Sequence, residues 1–131
     1  MVFNWYEYLN IAKFLYINGN KLDQITQESA YRCAISKAYN ASYCHARDYA
    51  QNKFGFIPKE LGEDHGAVKN EFKRKGKAYG DIPEILFRLR QWRNQCDYDD
   101  IVVDNISEIV QKAIDNAQKI FDRLNYPQPK K

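Results

Sequence analysis

The chain has 131 residues, enough for one domain that buries a core of its own. Hydrophobic residues make up 44% and aromatics 15%, which excludes a disordered composition. The formal charge of +3 is mildly basic and does not by itself announce a nucleic-acid partner.

Helical spacing recurs along the chain and period-2 alternation is absent. The first predicted helix runs from about Trp5 to Ile17, with Trp5, Leu9, Ala12 and Tyr16 on one side. Asn18-Gly19-Asn20 stops it, since Gly and Asn tolerate a left-handed turn. The second is long, from about Asp23 to Lys53. At about 100° per residue, Tyr31, Ile35, Ala38, Ser42, His45 and Tyr49 form a narrow stripe, which marks His45 as a core or interface histidine. Ala34 and Ala41 beside it allow a neighbouring helix to approach closely.

Gly55 and Pro58 break the pattern, and residues 54–63 read as a loop. A shorter helix follows, from about His65 to Lys75, with Asp64 as its cap and His65 at the solvated surface. Lys69, Lys73, Arg74, Lys75 and Lys77 make it the most basic patch, a candidate contact for nucleic acid or an acidic partner. Asp81 caps the fourth helix, with Pro83 in its first turn and an end near Asp97. The fifth, Asn105 to Leu124, has the cleanest apolar face. The expected architecture is all-α, an antiparallel up-and-down bundle of about five helices over residues 1–126, with 127–131 as a frayed tail.

The start of the chain has neither a basic n-region nor an apolar h-region, and no apolar run could span a bilayer. Cys33, Cys44 and Cys96 are odd in number and form no C-x-x-C pair. A disulfide framework and a zinc site are therefore not expected, and a cytoplasmic, reducing setting is. No cofactor motif is present, including the Gly-rich phosphate loop.

The fourth helix carries two stripes. Ile85, Leu89, Trp92 and Cys96 fall within about 60° of one another and form its core side. Leu86, Arg90, Arg93 and Asp97 form a second stripe, rotated by about 100°. Arg93 and Asp97 are spaced for an i,i+4 pair. Arginine's planar fork also suits a carboxylate or phosphate from outside.

Tyr31-Arg32-Cys33-Ala34-Ile35-Ser36-Lys37-Ala38-Tyr39-Asn40-Ala41-Ser42-Tyr43 and Leu89-Arg90-Gln91-Trp92-Arg93-Asn94-Gln95-Cys96-Asp97-Tyr98-Asp99 together resemble the HEPN superfamily. The similarity is to its small prokaryotic members with an Arg-Asn-x-Ala-Asp-Tyr-Asp signature. It implies a bundle of about five helices that dimerises. Active members are metal-independent endoribonucleases whose motif is an arginine followed after four to six residues by a histidine. Many act as toxins or defence proteins, some beside a nucleotidyltransferase antitoxin. By this resemblance Arg93 matches the motif arginine and Asn94 its polar follower, while Tyr98 stands where the first permitted histidine would be. A phenol ordinarily ionises only near pH 10, so tyrosine makes a poor general base at neutral pH.

Three readings follow. The first is a homodimeric binding module of a toxin–antitoxin or defence pair, with Arg90, Arg93, Lys73 and Arg74 as binding residues. The second is an endoribonuclease with a modified site of Arg93, Asn94, Asp97 and Tyr98, for which His45 is an alternative base. The third is a substrate- or nucleotide-binding helper of a partner nucleotidyltransferase.

Overall fold

In the computed structural model, which describes residues 3–102 and 105–125, the order is α1 (Tyr6–Asn18), α2 (Gln27–Phe54), α3 (Asp64–Arg74), a 3-10 turn (Lys77–Tyr79), α4 (Ile82–Tyr98) and α5 (Ile106–Arg123). Among the described residues there is no strand, and no helix is long and apolar enough to cross a membrane. The expected tail at 127–131 lies outside the described residues.

α2 is the spine, packing against all four other helices. It begins at Gln27 rather than Asp23. Gln24 takes a left-handed φ of 62°, and Thr26 is extended while its hydroxyl accepts the Ser29 N–H at 3.1 Å. Gly55, at φ 69°, closes the helix in the left-handed region. The turn after α1 differs from expectation. Gly19 is right-handed, at φ −56° and ψ −30°. Its missing side chain serves close packing, because a Cβ would lie 2.9 Å from both the Leu15 carbonyl oxygen and the Tyr31 ring.

Small residues set the spacing of the helices. Ala34, Ala38 and Ala41 of α2 are fully buried, as are Leu9 and Ala12 of α1, Leu89 of α4, and Val110, Ala113 and Ala117 of α5. Each buried leucine or isoleucine contributes about 1.5–3 kcal/mol relative to exposure. His45 lies in this core, with its Nε2 2.7 Å from the Leu124 carbonyl oxygen and its ring against Phe121. That placement holds it inside the bundle as a core histidine.

Two expected caps act differently. Asp64 is the first residue of α3, and its carboxylate accepts the N–H groups of Lys59 (3.1 Å) and Glu60 (2.7 Å). It thereby ties down the preceding loop and leaves its own helix uncapped by a side chain. Asp81 precedes α4, and its side chain makes no capping bond to the first turn but pairs with Arg123 at the end of α5.

Candidate functional site

Arg32 of α2 fixes the end of α4. Its guanidinium donates to the carbonyl oxygens of Cys96 (3.1 Å), Asp99 (2.7 Å) and Asp100 (2.9 Å). These include carbonyls that a helix end leaves without an internal partner. Asp97 is drawn to the same junction, accepting the Ser36 hydroxyl at 3.1 Å and lying 3.0 Å from Arg93 Nε. Its charge is therefore engaged within the chain.

Arg93 donates to the exposed Asn94 side chain at 3.0 Å. Its guanidinium carbon also lies 5.7 Å from the Tyr39 ring centre and 5.5 Å from that of Tyr98. Cation–π contacts of this kind contribute about 0.5–2 kcal/mol. Tyr98 is 70% exposed and sits on the outer side of Arg93. The predicted set of Arg93, Asn94, Asp97 and Tyr98 is thus contiguous, with its acid and base paired to each other.

Arg90, one turn earlier, is in a different state. Six of the seven arginines pair with a carboxylate within the chain, namely Arg32, Arg47, Arg74, Arg88, Arg93 and Arg123. Among the described residues Arg90 alone has no such partner, and its buried Nε meets no hydrogen-bond acceptor there.

What Arg90 faces was not expected. His65, assigned to the solvated surface from sequence, is half-buried beside α2 and α4. Its Nδ1 shares a hydrogen bond with Tyr39 Oη, and its ring stacks on Tyr43 at 4.1 Å. Asp64 pulls the loop against the start of α3, which turns His65 inward. Burial holds the His65 imidazole below its ordinary pKa, and the Arg90 and Arg93 guanidiniums push it further the same way. Burial pushes the Tyr43 phenol up to about 12 and raises Tyr39 as well. At neutral pH the cluster therefore presents an uncharged imidazole, two neutral phenols and a positive guanidinium.

These groups border a crevice of about 30 Å³, lined by Tyr39, Tyr43, His65, Lys69, Phe87 and Arg90. A volume of that order suits one or two waters and is too small for a nucleotide. A larger anion would meet the cluster at its rim.

The other predicted binding residues separate. Lys73 lines a neighbouring groove between α3 and α4, whereas Arg74 is exposed and paired with Glu71. Among the described residues no cluster of three His, Cys, Asp or Glu could hold a metal ion, and the three cysteines are free. Sequence reasoning missed His65, Tyr39 and Arg32. The available signals were Tyr39 and Tyr43 four residues apart on α2, and His65, Lys69 and Lys73 at the same step on α3. No protein-family model, curated protein or solved structure matches the chain.

Proposed function

We propose that the chain is a HEPN-like homodimer that binds RNA within a prokaryotic toxin–antitoxin or defence pair, with Arg90 receiving a phosphate. The observation that carries this reading is the state of Arg90, the one arginine left without a carboxylate partner among the described residues. A guanidinium held among neutral phenols and a neutral imidazole has unspent capacity for an anion, and its fork matches phosphate geometry. The small crevice favours recognition at a rim over enclosed chemistry. The HEPN resemblance supplies the dimer, with the Arg90/Arg93 stripe at its seam. The test is incubation of the purified protein with single-stranded RNA in EDTA. This reading expects a complex in which the RNA stays intact, and expression harmless to cells. Absence of any complex would overturn it.

A second reading, a metal-independent endoribonuclease, is favoured by His65 standing beside the arginines. In that reaction neutral His65 would take the proton of a ribose 2′-OH while the 2′ oxygen attacks phosphorus. The 5′ oxygen would leave with a proton from water, giving a cyclic 2′,3′-phosphate, and Arg90 and Arg93 would carry the phosphate charge. It expects RNA cleavage in EDTA and toxicity on expression, both abolished by Arg93→Ala and by His65→Ala. Intact RNA with the wild type would rule it out.

A further inference from the structure

Lys69 and Phe87 belong both to the crevice beside Arg90 and to a wider groove between α3 and α4. The groove has a volume of about 660 Å³ and is open to solvent, with Lys69, Lys73, Lys77, Phe72, Glu84 and Phe87 on its walls. Several surface cations are neutralised in place, as in Arg32–Glu28, Lys59–Glu63 and Arg74–Glu71. Among the described residues, none of the three groove lysines lies within ion-pair distance of a carboxylate. The groove's own carboxylate, Glu84, is taken by Arg88 at 3.3 Å. The groove therefore keeps a net positive field.

The spacing of these charges is regular. Lys69 and Lys73 lie one four-residue step apart on α3, about 6 Å along the helix axis, with the uncharged His65 one step before them. Gly76 then turns the chain at φ 84°, and Lys77 beyond it also lines the groove. Across from them Phe87 is 48% exposed, with Lys69 Nζ 5.0 Å from its ring centre. A line of single positive charges facing an exposed aromatic ring matches a polymer with one charge and one planar base per unit.

We infer that this groove is the track of a single-stranded RNA, with its phosphates along Lys69, Lys73 and Lys77, a base on Phe87, and its path leading to Arg90 and His65. This deepens the RNA-binding reading and rests on it. An acidic peptide would also be drawn to the lysines, but it would make no use of the aromatic platform.

The test is fluorescence anisotropy in EDTA with oligouridylates of about 4 and about 12 nucleotides, lengths that bracket a short and a long site. The probes meet the wild type, a Lys73→Glu/Lys77→Glu variant and Phe87→Ala. The substituted lysines are exposed, so the fold should tolerate the change. The wild type should bind the longer probe at least about tenfold more tightly than the shorter one. The lysine variant should remove most of that difference, leave the short probe unaffected, and lower the salt slope by about 1.4, at about 0.7 per lost phosphate contact. Phe87→Ala should weaken the longer probe. Unchanged affinity and salt slope in the lysine variant would overturn the track while leaving RNA binding at Arg90 standing. Failure of both probes to bind the wild type would instead remove the RNA-binding reading itself. An oligothymidylate bound equally well would overturn the RNA assignment. An oligoglutamate that displaces RNA with the same lysine dependence would replace the track with an acidic-peptide site.

Discussion

A half-buried imidazole packed against two phenols in a positive field resists protonation. His65 meets Tyr39 and Tyr43 on one side and the positive field of Arg90, Arg93 and Arg47 on the other, with Asp64 as the opposing charge. Its folded pKa is therefore lowered, and burial lowers that of His45 too. The unfolded chain takes up these protons near pH 6.5, while the folded chain takes them up only at lower pH. Stability is then highest above pH 6.5 and falls as the pH drops through it, by at most about 1.4 kcal/mol per pH unit for each histidine. Urea unfolding at pH 7.5 and at pH 5 should show this loss, and His65→Gln should remove part of it. An unchanged profile in the variant would contradict the placement of His65. The Arg90/Arg93 stripe was legible in the sequence, because helical periodicity alone places it beside the core stripe. His65 was not, since its neighbours come from three helices and a loop pulled in by Asp64.

The signature segment at the end of α4 owes its shape to α2. Arg32 binds three backbone carbonyls there, and Ser36 binds Asp97 one turn further along α2. Charge-assisted bonds of this kind contribute about 1.5–3 kcal/mol each before solvent exposure weakens them. Arg32→Ala should destabilise the chain by about 1–3 kcal/mol. It should also speed amide hydrogen exchange over residues 95–100 more than elsewhere. Uniform exchange across the bundle would contradict this local role. Helix identity was readable from apolar periodicity, and α5, with its continuous buried face and Asn105 cap, lies where the pattern places it. Caps were harder to read. Asp64 and Asp81 have the right residue type and position, but the Asp64 carboxylate bonds the loop before α3 and that of Asp81 pairs with Arg123 of α5.

At the scale of the whole molecule, one face carries Lys69, Lys73, Lys77 and Arg90, none of them paired with a carboxylate among the described residues. The all-α class followed from periodicity over the full length. How the faces align did not, because that depends on small-residue contacts such as Gly19 against Tyr31. The proposed homodimer places two copies of this face on either side of a seam. Light scattering coupled to size exclusion, at micromolar protein, should give twice the chain mass of 15.5 kDa. A monomer under those conditions would contradict the dimer.

Arg90 is proposed to receive a phosphate because no carboxylate among the described residues engages its charge. Two arginines on α4 provide the comparison, since Arg88 is exposed and paired with Glu84. The most direct measurement is RNA affinity in EDTA for the wild type, Arg90→Ala and Arg88→Ala at one salt concentration. Loss of a charge-assisted phosphate contact should weaken binding by about tenfold or more for Arg90→Ala, and by less than about twofold for Arg88→Ala. Equal losses in the two variants, or unchanged binding in Arg90→Ala, would contradict the account.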